Sequence, residues 1–129
     1  QMCIRDRLTA ARAALDEAAA LGNVQAILGA ASVAIEACAD VRQRFQERMR
    51  VASMLADAGH PLPARLMHVA LDAEIATHAL DVWEPSLVLA HLVSYSALLA
   101  GLDGMQAQHE SVLARVARLS PTTLSECLR

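Results

Sequence analysis

Residues 78–90 read HALDVWEPSLVLA. They hold the only tryptophan of the chain, Trp83, set directly before Glu84 and Pro85, and no charged residue follows Glu84 until Asp103. Residues 85–101 continue as PSLVLAHLVSYSALLAG. Proline has no N–H and a fixed φ, so Pro85 suits the first turn of a helix, and Gly101 suits its end. Between them Leu87, Val88, Leu89, Leu92, Val93, Leu98 and Leu99 go most of the way round a helical cylinder. A helix apolar on all sides is buried on all sides or lies in a membrane. A span needs about 20 apolar residues. This segment is shorter, is bounded by Pro and Gly, and carries His91, Tyr95 and three serines. The reading is therefore a central helix of an all-α protein, with one face (Val88, Leu89, Leu92, Tyr95 and Leu99) in an oligomer contact. His78 ends the preceding helix, where the dipole favours it. Glu84 favours the positive end of the next helix. Trp83 is expected to fold over the junction as a plug.

The rest of the chain agrees with an all-helical class. Of 129 residues, 55% are hydrophobic but only 2% aromatic, so the apolar content is mainly alanine and leucine. These are strong helix formers, and little of the aromatic and β-branched material of sheets is present. A mean hydropathy of +0.32 is high for a domain of this size, which points to surface buried against other chains. All 11 basic residues are arginine, so chemistry that requires lysine is absent. The net charge of -3 offers no basic excess for a nucleic acid. Cys3, Cys38 and Cys127 are odd in number and lack metal-ligand spacing, as expected of reduced thiols.

Helix punctuation predicts about six helices joined by short loops, hence antiparallel hairpins. Leu8 to about Leu21 stops at Gly22, and Asn23 caps the next helix, to about Cys38. Asp40 with Gln43 makes a capping box. The helix it opens places Val41, Phe45, Met49, Ala52 and Leu55 or Ala56 on one face. Gly59 ends it. Pro63 sits in the first turn of a fourth helix, running to about His78 or Leu80. Asp103 with Gln106 is a second capping box for a helix to about Arg118, and Ser120–Pro121 begins a terminal turn. The glycine turns near Gly22, Gly59 and Gly101 resemble one another, as in an α-solenoid-like bundle of the tetratricopeptide sort.

No catalytic motif is found, and an enzyme is not expected. His68 and Asp72, like Glu74 and His78, read as ordinary i,i+4 polar pairs. No metal or cofactor is expected. The arginines of VRQRFQERMR are interleaved with Glu47 and read first as a solvated face; Arg42, Arg44 and Arg48 are the candidate partner-docking residues.

From about residue 40 onward, the order R-x-R-F, L-x-x-A-G-x-P, Glu74–Ile75, Trp83–Glu84–Pro85 with a Leu-rich helix, and Arg118–Leu119–Ser120–Pro121 resembles the C-terminal, VasJ-type domain of the type VI secretion protein family TssA. Trp83–Glu84–Pro85 is its strongest element. One departure is the lack of charge in the helix after Pro85, where family members often carry charged residues. The resemblance implies a non-catalytic, ring-forming scaffold in the bacterial cytoplasm, associated with the secretion apparatus and supporting baseplate assembly and tube and sheath polymerisation. Its partners would be further copies of itself and baseplate, tube and sheath components, with no nucleic acid and no direct membrane insertion. A tetratricopeptide-like peptide-binding module is the alternative. The first seven residues, QMCIRDR, resemble the translation of a transposon end used in sequencing-library preparation. On that reading residues 1–7 are foreign, residues 8–129 form a single helical oligomerisation domain, and native N-terminal domains lie upstream.

Overall fold

The computed structural model describes residues 3–129. Among them every regular element is helical: α1 (Ile4–Leu21), α2 (Val24–Glu36), α3 (Val41–Asp57), α4 (Pro61–His78), α5 (Leu80–Trp83), α6 (Pro85–Ala100), α7 (Gln106–Leu119) and α8 (Pro121–Cys127). The two elements beyond the expected six are short. The α8 helix forms because Ser120 accepts a bond from the Thr123 N–H while Pro121 sets the first turn. Neighbours in sequence pack together: α1 on α2, α2 on α3, α5 on α6, α6 on α7 and α7 on α8. Helices that pack on their sequence neighbours let a chain partition along its length. Two compact units result. The first ends at Met67 and the second is His68–Arg129, with the boundary inside α4.

In the first unit the punctuation works as residue chemistry dictates. Gly22 takes φ 71°, and its N–H reaches the carbonyls of Ala18 and Ala19, closing α1. A side chain at that φ is strained, so glycine belongs there. Asn23 accepts the Ala26 N–H at 2.9 Å. Asp40 accepts the Gln43 N–H, and Gln43 Oε1 accepts the Ala39 N–H, both at 2.8 Å. This is the reciprocal bonding of a capping box, shifted back one residue on its return arm. The core is Leu8, Ala11, Leu15 and Ala18 of α1, Ile27, Ala31 and Ala34 of α2, and Phe45, Val51, Ala52 and Leu55 of α3. Of the line expected on α3, Phe45, Ala52 and Leu55 are buried, whereas Val41 and Met49 are half-buried.

In the second unit, Leu71 and Ile75 of α4, Leu80 of α5, Val88, Leu92, Tyr95 and Leu99 of α6, and Val112 and Val116 of α7 are buried. The second expected capping box does not form. Gly104 takes φ 76° and delays the helix, so α7 starts at Gln106 behind Met105, with no side-chain cap. Asp103 is left in the turn. No helix among the described residues is long and apolar enough to cross a membrane.

Candidate functional site

The polar interior of the second unit is a chain of four side chains on three helices. Spacing by four puts His68 and Asp72 on one side of α4, and both meet His91 of α6. His91 Nε2 lies 2.8 Å from Asp72 Oδ1, and His91 Nδ1 lies 3.2 Å from His68 Nδ1. Arg115 of α7 donates to the same Asp72 oxygen at 2.9 Å. A carboxylate only accepts, so His91 carries a hydrogen on Nε2, and a single hydrogen lies between its Nδ1 and the Nδ1 of His68. Tyr95, one turn beyond His91, stacks on His68 with ring centroids 4.8 Å apart and planes 5° from parallel.

Burial sets the electrostatics. His68 is 2% exposed and His91 0% exposed. Removal from water, reinforced by the neighbouring His91, lowers the His68 pKa to about 4, with Asp72 opposing. At Asp72 burial acts to raise the pKa. Hydrogen bonds and charge attraction from His91 and Arg115 outweigh it, so the carboxyl is held below its usual range. His68 and Asp72 approach His91 from opposite ring nitrogens, so the three do not face a common centre. Among the described residues no group of three His, Cys, Asp or Glu side chains is placed to hold a metal ion. A cleft of about 290 Å³ beside the network is lined by Asp72, Tyr95, Gln108, Ser111 and Arg115. It meets the carboxylate end, where Arg115 and His91 already hold Asp72, and not the histidine rings.

The sequence-expected residues are redistributed. Trp83 is no plug: its relative exposure is 79%, and that of Val82 beside it is 71%. The cause lies in α5. Ala79 takes a left-handed φ of 51°, which starts a four-residue helix after α4 ends at His78. Leu80 is the residue of that helix that is buried, in place of the indole. Glu84 makes no capping bond, but Pro85 starts α6 as read. His78 pairs with Glu74 at 3.1 Å.

The proposed interface face on α6 is also corrected. Val88, Leu92, Tyr95 and Leu99 are buried within the chain and Leu89 is half-buried, so these residues are spent on the unit's own core. The outward line of α6 is Ser86, Ala90, Val93, Ala97 and Ala100.

Of the arginines, Arg42 is exposed while Arg44 and Arg48 are half-buried. The arginines that organise the first unit are others. Glu47, 1% exposed, accepts from Arg12 Nε at 2.9 Å and from Arg50 Nη1 at 3.2 Å, and Arg50 also pairs with Asp16. Burial, with the nearby Glu47 carboxylate, pushes the Cys38 thiol up. His60 donates from Nε2 to the Gly22 carbonyl at 2.7 Å, tying the α3–α4 turn to the end of α1.

Sequence reasoning missed the role of His91. Its signal was present: a lone imidazole on the 88–92–95–99 face of an uncharged helix needs a buried partner, and the His68–Asp72 spacing supplies one.

Comparison with protein-family models, with curated proteins and with solved structures returns no match. What the fold defines is an all-α chain of helical hairpins, with the buried Glu47, His68 and His91 each held by polar partners and an indole presented to solvent.

Proposed function

We propose that the chain is a non-catalytic, self-associating scaffold domain of the kind found in TssA-like type VI secretion proteins, supporting baseplate assembly and tube and sheath polymerisation. The observation that carries the reading is the exposed Val82–Trp83 pair on α5. A tryptophan held out on a short helix, in a chain whose other two large aromatics, Phe45 and Tyr95, are buried, leaves exposed the residue type most enriched at the centres of interfaces. The order Trp83–Glu84–Pro85 before a Leu-rich helix supports the family assignment. The exposed small-residue line of α6 supports close approach by another helix.

A second reading has its own observation. A groove of about 500 Å³ lined by Ala10, Ala11, Ala14, Val33 and Ala37, with Arg7 and Glu36 at hand, has the apolar floor of a helix-binding or peptide-binding site. The two readings part on Trp83, which lies outside that groove. Trp83 is the only indole, so its emission reports the association directly. Under the scaffold reading, emission shifts to longer wavelength on dilution from tens of micromolar to tens of nanomolar as subunits separate. Emission already characteristic of a hydrated indole, and unchanged over that range, would remove the scaffold reading and leave the groove.

A further inference from the structure

We propose that His68, His91 and Asp72 form a proton-operated latch between α4 and α6, closed while His68 is neutral and released when acid protonates it. The geometry gives the reason. One hydrogen lies between the two Nδ1 atoms, 3.2 Å apart, and the far side of His91 is bonded to Asp72. A proton added at His68 creates an imidazolium at a site 2% exposed, stacked on Tyr95. The one carboxylate of the network is already shared by His91 and Arg115. A proton on each ring would set two N–H groups against each other and destroy the inter-ring bond.

The charged and titratable groups around the latch are few. His68 and Asp72 come from α4, His91 and Tyr95 from α6, and Arg115 from α7. Beyond Arg115, Asp81 and Arg118 line a small cavity with Val88 and Leu92. On the α8 side, Cys127 approaches Ser96, a turn further along α6. None of these adds a second carboxylate within bonding distance of His68, so the added charge is offset only by Asp72, which His91 and Arg115 already share.

The direction follows from linkage. The His68 pKa falls from 6.5 to about 4 on folding, so the folded state binds fewer protons than the unfolded state between those values. The stabilisation is complete above pH 6.5. It declines as pH falls through 6.5 and is exhausted near pH 4, for a total of about 300-fold in the ratio of closed to open forms. Asp72, whose pKa is lowered, is lost only at still lower pH, outside this window.

The test is hydrogen exchange on the full chain, corrected for intrinsic rate, from pH 7 to pH 4.5, with imidazole nitrogen resonances followed in parallel. Protection of the α6 amides should fall about tenfold per pH unit below 6. His68→Phe, which keeps a flat ring against Tyr95, should flatten that dependence. Protection constant across the range, or falling equally in wild type and variant, would overturn the latch. If the variant does not fold, the wild-type resonances decide. A neutral His68 and an Nε2–H on His91 persisting below pH 6 is the expected pattern. A fully protonated His68 at pH 5.5 with unchanged α6 protection would overturn it.

Discussion

Glu47 lies at the centre of the first unit's electrostatics and permits a quantitative test. Its carboxylate is 1% exposed and accepts from two arginines whose side chains are 43% and 36% exposed. A hydrogen bond to a charged group contributes about 1.5–3 kcal/mol. Half-exposed donors belong at the low end, so Arg12→Ala alone should cost about 1.5 kcal/mol. Arg50→Ala should cost slightly more, because Asp16 loses its partner as well. Removing both arginines leaves a buried carboxylate with no compensation, a situation that costs about 3–5 kcal/mol. The informative variant is the triple one. Adding Glu47→Met to the double variant keeps the volume and removes the stranded charge, so stability should return to within about 1–2 kcal/mol of wild type. Urea unfolding followed by circular dichroism gives the magnitudes, and exchange of the α1–α3 amides assigns them to the first unit. A triple variant no more stable than the double would refute the reasoning, because the loss would then come from packing by the arginine stems and not from charge.

Other expectations are simpler to read. Trp83→Ala should change unfolding free energy by less than about 1 kcal/mol, because truncating an exposed side chain leaves no cavity; a loss of 3 kcal/mol or more in denaturant melts would place the indole in a core. Gly22→Ala meets no atom within 4 Å of the added Cβ, so its cost is the left-handed φ alone, about 1 kcal/mol, measured by thermal melting. Asp40→Ala removes the 2.8 Å bond to the Gln43 N–H and should cost about 1 kcal/mol, with faster exchange confined to the first turn of α3.

Much of the helical plan was legible because it is written locally. Gly22, Asn23, Asp40 and Pro85 each act on the backbone within a few residues, and each does what its chemistry predicts. Asp103 shows the limit: the same D-x-x-Q spelling failed because Gly104 turns the chain before the helix can start. The side-chain errors have a different origin. Burial of Trp83 depended on whether the four residues between His78 and Trp83 form a turn or enter a small helix. The left-handed Ala79 decides this, and no residue type announces it. The α6 face was read correctly as apolar but assigned to the wrong side of the boundary between core and surface. Periodicity shows that 88–92–95–99 form a stripe and says nothing of what covers it. The histidine network was legible only in halves, since His68–Asp72 is local while His91 joins it across 19 residues from Asp72.

The proposed scaffold role requires that this chain assemble with itself through the surface around Val82 and Trp83. Its molar mass in solution, measured by light scattering behind size exclusion at micromolar concentration for wild type and Trp83→Ala, tests that most directly. The account predicts a mass several times the 13.8 kDa of one chain for wild type, and a shift toward 13.8 kDa for the variant. A wild type that elutes as a monomer throughout, or an oligomer that the variant leaves intact, would contradict it.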